Sequence, residues 1–492
     1  MPIPRKLPRC AVPLSILPVA LLVDLRGLGQ KPFWLDEVTT LRRATMPFSQ
    51  MISDSVHNNH YPAYFVLIWL VAHVGTSQWI LRLPSALFAS IAAAITGSIG
   101  NLIGKARVGL VAGLLFSLSP FDVQLAQEAR SYALVSCLIL IALWGMVELA
   151  PQMRETGTPG KAEAKPSIAW WAYGIGTACA LNVLNVAAAW FVAANVAACF
   201  IAARAGATNG AWFRRWALMQ ACILVAWAPA LVSLLVFSYH SLSQGASWGP
   251  QVTSRTIWEI VAPVYFFRIS DFITFDLKPA SIPGLSAVLA VLAAAGAWRL
   301  RHTHATLAVL ISVAVAVPIG MLVLSYWVPM LVPRYFAWTT PAFCLLVAAG
   351  SAAIPPRWFV SLSAALMILT IINLQPYYKY ETKPRWDVVA SELTKEAQPG
   401  DVVLCNDYAS YYVLQAFLGQ IYMDSSGVIF TWVPYEATVL ARGHNVWTIY
   451  GRTGQGSLPS SKEYLDSLTS MLVPITGEAI GQHIMLWHME VL

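Results

Sequence analysis

QEARSYALVSCLILIALWGMVEL, residues 127–149, opens with a carboxylate and a guanidinium two positions apart. It closes with a run from Tyr132 to Leu149 whose only charge is Glu148. A hydrocarbon core of about 30 Å takes around 20 apolar residues as a helix, so the run reads as a membrane span with charged residues at its entry. The rest of the chain reads the same way. Of 492 residues, 57% are hydrophobic and 11% charged, with a mean hydropathy of +0.60, where a soluble domain carries roughly 25% charge. Disordered and fibrous classes are excluded, and the 20 Trp, 18 Tyr and 19 Phe suit helix ends at headgroup level.

Similar runs at about 11–28, 82–103, 108–122, 131–149, 168–185, 187–203, 216–238, 283–299, 305–327, 335–353 and 358–375 predict eleven spans. Residues 61–74 are as apolar but short for a span, and the loop charges decide their place. With 61–74 lying along the interface, one set of loops holds 14 Lys+Arg against three acids, the opposite loops before residue 376 hold 10 against 9, and the C-terminal part holds 7 against 12. The positive-inside rule then puts the first set and the N-terminus in the cytoplasm of a cell that carries the chain in its plasma membrane. The net charge of +7 is therefore topological, and no nucleic-acid partner is implied. The first span follows Arg5, Lys6 and Arg9 with no small-x-small cleavage site after it, so it reads as an uncleaved anchor. Residues 29–81 and 239–282 become outer loops, and 153–167 a polar cytoplasmic linker.

From Pro376 the character changes. WDVVASELTKEA (386–397) has helical periodicity, QPG breaks it, and DVVLCN (401–406) reads as a short buried strand. The expected architecture is a polytopic α-helical membrane domain over 1–375, with interfacial helices in its first outer loop, and a small extracytoplasmic α/β domain over 376–492. Of the cysteines only Cys405 lies away from the apolar stretches, so no disulfide framework forms outside the bilayer. No internal repeat is legible, although transporters built from repeated halves often show one.

Four groups of ionisable and aromatic residues fall on the outer side under a topology chosen from other residues. FWLDE (33–37) sets Asp36 beside Glu37, where one carboxylate can accept a proton or both can face a cation. The competing reading is a solvated loop with an N-cap Asp and a helix opening at Val38. HNNHYPAY (57–64) sets His57 and His60 before Tyr64, as ligands or as interfacial anchors. In QEARSY, Glu128 forms an ion pair with Arg130 or orients it toward a phosphate, next to Tyr132. VPRYFAW places Arg334 and Tyr335 at a helix entry, facing an anionic headgroup or snorkelling to lipid. A base, a phosphate clamp and aromatic walls on one side suit sugar transfer from a lipid phosphate, in which the leaving phosphate needs cations and the acceptor needs a carboxylate base. DYASYY (407–412) offers stacking faces for a sugar or a packing stripe.

These motifs, in this order, resemble the GT-C superfamily of integral-membrane glycosyltransferases, in particular the bacterial branch related to protein O-mannosyltransferases and the lipid A aminoarabinose transferase. The resemblance is carried by FWLDE, by HYPAY (60–64), by LRLPSALFA (81–89), by SPFDVQLAQEARSYAL (119–134) and by PRYFAWTTPAF (333–343), and it is densest over residues 30–150. It implies an inverting glycosyltransferase using a polyprenyl-phosphate sugar and an extracytoplasmic acceptor, whether glycolipid, polysaccharide or protein. By the same resemblance Asp36 is the general base with Glu37 beside it, and His60, Glu128, Arg130, Arg334 and Tyr335 line the donor phosphate and sugar pocket; His57, Tyr64 and Tyr132, their neighbours in the quoted motifs, join them as substrate-binding candidates. Some relatives use a divalent cation, and the sequence names no metal ligands here. Two departures stand out: His60-Tyr61-Pro62 replaces a His-Pro-Pro, and LNVLNVAAAWF (181–191) lies where relatives often carry Thr-His-Tyr. A non-enzymatic transporter or lipid carrier is the alternative class, and it expects charges at mid-membrane depth.

Overall fold

The computed structural model describes residues 10–151, 167–204, 210–243, 252–268, 284–328, 330–433, 445–451, 461–469, 472–481 and 483–491. The expected linker 153–167, save Ser167, and much of the second outer loop lie outside the described residues. The chain divides into two compact units. The first comprises Met1–Leu28, Arg43–Ser270 and Pro279–Tyr377, and the second Gly29–Arg42, Asp271–Lys278 and Tyr378–Leu492.

The first unit is helical. Its leading helices are α1 (Ala11–Leu25), α2 (Leu35–Thr45, shared with the second unit), α3 (Phe48–His57), α4 (Pro62–Ala72), α5 (Gln78–Ser117), α6 (Pro120–Ala126), α7 (Tyr132–Leu149) and α8 (Ile168–Val183). There follow α9 (Ala187–Arg204), α10 (Gly210–Ser243), α11 (Ser254–Phe266), α12 (Leu285–Arg299), α13 (His304–Ile311), α14 (Val317–Leu324), α15 (Thr340–Ser351) and α16 (Pro356–Lys379). Among the described residues six helical stretches are long and apolar enough to cross a membrane: Gln78–Ser117, Tyr132–Leu149, Ala187–Arg204, Trp212–Ser233, His304–Leu324 and Pro356–Lys379. The 11 residues of α4 rise only about 16 Å as a helix, roughly half a hydrocarbon core.

Three local differences from the sequence expectations have clear causes. The predicted span 108–122 stops at Ser117, because Ser119 caps a new helix through Asp122 N and Pro120 takes its N1 position, where no N–H is needed. The predicted span 305–327 is interrupted by a π-helical turn, Ser312–Ala316. Pro318 lacks the N–H that an α-helix would give to the Ala314 carbonyl, and the wider turn absorbs the misfit. The predicted entry at residue 335 is two single 3-10 turns, Pro333–Tyr335 and Ala337–Thr339, before α15 begins.

Close backbone approach holds the first unit together. Within α5, Gly104 and Lys105 have non-helical φ/ψ of −147°/25° and 67°/−175°, and the chain doubles back on itself there. A methyl group on Gly100 would lie 2.8 Å from Gly109 Cα, and one on Gly109 would lie 2.9 Å from a Val12 methyl of α1. Helices α12 and α15 meet in the same manner, since a methyl on Gly296 or on Gly350 would lie 2.9 Å from the other's backbone nitrogen. In lipid no hydrophobic drive favours one helix pair over another, so van der Waals contact at small residues supplies the association.

The second unit is α/β. A five-stranded sheet runs in the order β2-β1-β3-β5-β4, with β1 (Val402–Cys405), β2 (Ile429–Trp432), β3 (Asn445–Gly451), β4 (Leu472–Ile480) and β5 (Ile484–Val491). β1 is parallel to both β2 and β3, and β5 is antiparallel to β3 and β4. All four residues of β1 are buried, as a central strand covered on both faces requires. α17 (Trp386–Glu396), α18 (Tyr408–Leu418), α19 (Gln420–Ser425) and α20 (Ser461–Leu468) complete the unit. Val402, Leu404, Val446, Tyr464, Trp487 and Met489 are part of its core. Burial, with Asp407 nearby, pushes the Cys405 thiol up from its ordinary value, so it stays protonated and inert. All seven cysteines are free.

Gly296→Val and Gly350→Val are each expected to lower the unfolding temperature in detergent, since overpacking a tight contact costs about 1–3 kcal/mol. A melt matching that of the unsubstituted protein would show that the helices do not approach this closely.

Candidate active site

In the first unit, the segment after the α5 hairpin carries most of the polar candidates. Every residue from Pro120 to Ala133 is buried. Gln127 ties the turn between α6 and α7 in place: its Nε2 donates to the Asp24 and Arg26 carbonyls at 3.0 and 2.8 Å, and its Oε1 accepts from the Tyr377 hydroxyl at 3.1 Å. Ser85 Oγ donates to the Arg130 carbonyl at 3.2 Å. The turn is thus held from α1, α5 and α16 at once. Glu128, Arg130 and Arg334 are all buried, and the Arg334 guanidinium lies over the Tyr132 ring at 5.7 Å. The two Arg-containing motifs singled out in the sequence therefore meet at Tyr132, while Tyr335 is half-buried in the same 3-10 turn as Arg334. Buried guanidinium groups present planar donor forks that match phosphate oxygens.

The other first-unit candidates gather elsewhere, around a residue the sequence reading did not single out. Phe65 has the His60 ring edge-on at 5.8 Å, Tyr64 at 5.7 Å and the Arg43 guanidinium over its face at 4.5 Å. Arg43 Nε also pairs with Asp54 Oδ2 at 2.7 Å. His57 is exposed at the end of α3, and its Nδ1 meets the Ser53 carbonyl of its own helix at 2.7 Å. Pro62 takes N1 of α4, so His57 and His60 stand in separate elements and share no helical face. Burial pushes the Tyr61 hydroxyl above its ordinary value.

The first unit also holds an apolar groove of about 550 Å³, lined among others by Asn185, Val192, Val196, Gly320, Met321 and Trp327. One wall is α9 and the other is α14 with the preceding π-turn. Composition alone gave no signal for it, because lipid-facing and groove-facing residues are equally apolar.

In the second unit, α2 opens at Leu35, three residues earlier than the N-cap reading placed it. Asp36 and Glu37 consequently occupy the first turn, where carboxylates complement the helix dipole. Asp36 is half-buried and its carbonyl accepts from Thr40 Oγ1 at 3.1 Å. Glu37 is completely buried, and its Oε2 lies 2.6 Å from Lys383 Nζ, itself 1% exposed. The reading of the pair as a solvated loop is overturned for Glu37. Lys383 was missed because nothing in TKPRW (382–386) distinguishes a buried partner from one more basic residue after the last span. With Glu37 already paired to an ammonium, Asp36 and Glu37 do not fit a divalent cation. Among the described residues no three His, Cys, Asp or Glu side chains are grouped to hold one. The three tyrosines of DYASYY form a ring cluster with Trp432, which lies 5.1 Å from Tyr408 and 4.6 Å from Tyr411, and Arg42 sits over Tyr412 at 5.5 Å.

No family model and no curated protein matches this sequence. Solved structures do match. ArnT from Cupriavidus metallidurans in the apo state superposes with a TM-score of 0.59 at 13% identity, over 96% of this chain and 97% of that one, and a second ArnT structure is bound to undecaprenyl phosphate. The chain has the GT-C fold. The Archaeoglobus fulgidus oligosaccharyltransferase matches with a TM-score of 0.52 at 12% identity, over 89% of this chain and 69% of that one. The arabinofuranosyltransferase AftD from Mycobacteria matches at 0.50 and 15%, over 99% of this chain and 40% of that one.

Gln127→Leu is expected to destabilise the first unit by at least about 2 kcal/mol, since two carbonyls and a tyrosine hydroxyl lose their shared partner. Tyr377→Phe, which removes one of those bonds, is expected to cost about 1 kcal/mol. Thermal unfolding in detergent measures both; equal melting of Gln127→Leu and wild type would show that the turn is held by other contacts.

Proposed function

We propose that this protein is an inverting glycosyltransferase that moves a sugar from a polyprenyl phosphate to an acceptor outside the cytoplasm. The observation that carries the reading is the GT-C fold matched along nearly the whole of ArnT, together with two buried arginines in the segments before α7 and α15, Arg130 and Arg334. One neighbour is bound to undecaprenyl phosphate and another to a dolichol-phosphate, which supports a polyprenyl phosphate as the donor's lipid. The acceptor is a glycolipid, a polysaccharide or a protein.

In the reaction, an acceptor hydroxyl attacks the anomeric carbon from the face opposite the phosphate. Asp36 takes the hydroxyl proton as general base. The bond between the anomeric carbon and the phosphate oxygen breaks, and polyprenyl phosphate leaves as a monoester carrying the bonding electron pair. Arg130 and Arg334 donate to the oxygens on which charge develops, the interaction that stabilises the transition state most. Glu128 orients the guanidinium of Arg130, and Glu37 stands beside the base. His60, Tyr64, Tyr132 and Tyr335 contribute ring faces and hydroxyls to sugar and lipid headgroup, and His57 lies toward the rim. The apolar groove between α9 and α14 takes isoprene units of the donor. The topology that goes with this reading has eleven spans, a cytoplasmic N-terminus and residues 376–492 outside, in a prokaryotic plasma membrane.

A transfer assay with purified protein, a panel of polyprenyl-phosphate sugars and detection of released polyprenyl phosphate tests the proposal. Asp36→Asn is expected to lower kcat by about 10²–10⁴-fold with the protein still folded, and Arg130→Gln or Arg334→Gln by about 10²–10³-fold. EDTA is expected to leave turnover unchanged. Gly320→Trp, which fills the groove, is expected to raise the donor KM by about tenfold, or roughly 1.4 kcal/mol of binding. Wild-type turnover by Asp36→Asn would overturn the assignment of the base, and no turnover of any donor by the folded wild-type protein would move the reading to a lipid carrier.

A further inference from the structure

Adjacent residues in a helix point about 100° apart, so Asp36 and Glu37 cannot do the same work. Asp36 is half-buried, whereas Glu37 is 0% exposed and held at 2.6 Å by a lysine 346 positions along the chain that is 1% exposed. A second tie runs in parallel, from Lys31 Nζ to the Tyr380 carbonyl at 3.0 Å. The stretch 31–37 is thereby pinned at two points to the stretch 380–383, all within the second unit. The amides of Glu37 and Val38 both donate to the Trp34 carbonyl at 2.9 Å, so the pinned carboxylate belongs to the turn that starts α2. A fully buried ion pair is poor value as a source of stability, because two well-packed apolar side chains of the same volume usually do as well. What such a pair supplies better than apolar packing is a fixed orientation.

We propose that Lys383 is a positioning residue: through its buried ion pair with Glu37 it fixes the first turn of α2, and with it the carboxylate of Asp36. This rests on the reading of Asp36 as the base. Lys383 itself touches no reacting atom. The consequence is that a lysine beyond the last apolar helix sets the geometry of a carboxylate near the start of the chain.

The test compares Lys383→Met, Lys383→Arg and the double variant Glu37→Met/Lys383→Met in the full-length protein in detergent. Lys383→Met takes the ammonium at 2.6 Å away from a buried carboxylate and is expected to lower the unfolding temperature. The double variant restores an apolar pair and is expected to melt close to wild type. Two readouts then separate positioning from bulk stability. The first is hydrogen exchange of residues 37–40, expected to speed up at least tenfold in the double variant with the rest of the chain unchanged. The second is turnover, where kcat is expected to fall at least tenfold while the donor KM stays within threefold, and Lys383→Arg is expected to keep most of the wild-type kcat. A double variant that melts, exchanges and turns over like wild type overturns the proposal. If the wild-type protein turns over no donor, the glycosyltransferase reading fails, and the exchange data alone decide whether Lys383 pins the turn: unchanged exchange at residues 37–40 overturns it, and local acceleration upholds it.

Discussion

An ionised side chain taken out of water costs several kcal/mol unless a counter-charge or hydrogen bonds come with it. Glu37, Arg43, Arg82, Glu128, Arg130, Arg334 and Lys383 are all buried. Each therefore has to be met by chain folded around it, and the described contacts show how. Arg43 takes Asp54 and the Phe65 face, Arg82 takes the Leu28 carbonyl at 3.0 Å, Arg334 takes the Tyr132 ring, and Glu37 takes Lys383. Glu128, Arg130 and Arg334 sit in the short segments before α7 and α15, Glu37 and Arg43 in α2, Arg82 in α5 and Lys383 between α16 and α17.

Irregular backbone carries a second demand, since its own N–H and C=O groups need partners. Gln127 answers it for the α1 terminus, with one amide serving two carbonyls and a hydroxyl, and Ser85 answers it for the turn at Arg130. The glycine contacts make this economical. Because the α5 hairpin closes at Gly100 and Gly109 and α1 packs Val12 into it, the ends of these helices come within hydrogen-bond reach of the same turn. Packing in the apolar part and polar closure at the helix ends are thus one construction.

Much of this was legible in the sequence. Apolar runs predicted membrane helices, the break between the runs 82–103 and 108–122 falls at the non-helical Gly104 and Lys105, and DVVLCN predicted a buried strand that forms as Val402–Cys405. QEARSY and VPRYFAW stood out because charge beside an apolar run is costly, and the structure joins them at Tyr132. What stayed hidden depended on distance along the chain or on geometry. The partner of Glu37 lies 346 positions away, and no local pattern selects Lys383 from its basic neighbours. The start of α2 was misplaced because Asp36 suits an N-cap as well as a first turn. Phe65 looked like any other apolar residue of α4 until three neighbouring side chains converged on it.

The acidic pair shows why residue type alone under-determines role. Asp36 and Glu37 carry the same charge and adjoin in sequence, and a reading by composition assigns them jointly to proton transfer or to a cation. Burial separates them. A carboxylate at 0% exposure with an ammonium at 2.6 Å has its orientation committed. Removing one partner of a buried pair of this kind costs about 3–5 kcal/mol. Asp36, in the same helical turn, is half-buried, so the two carboxylates differ in exposure where they differ neither in charge nor in place along the chain.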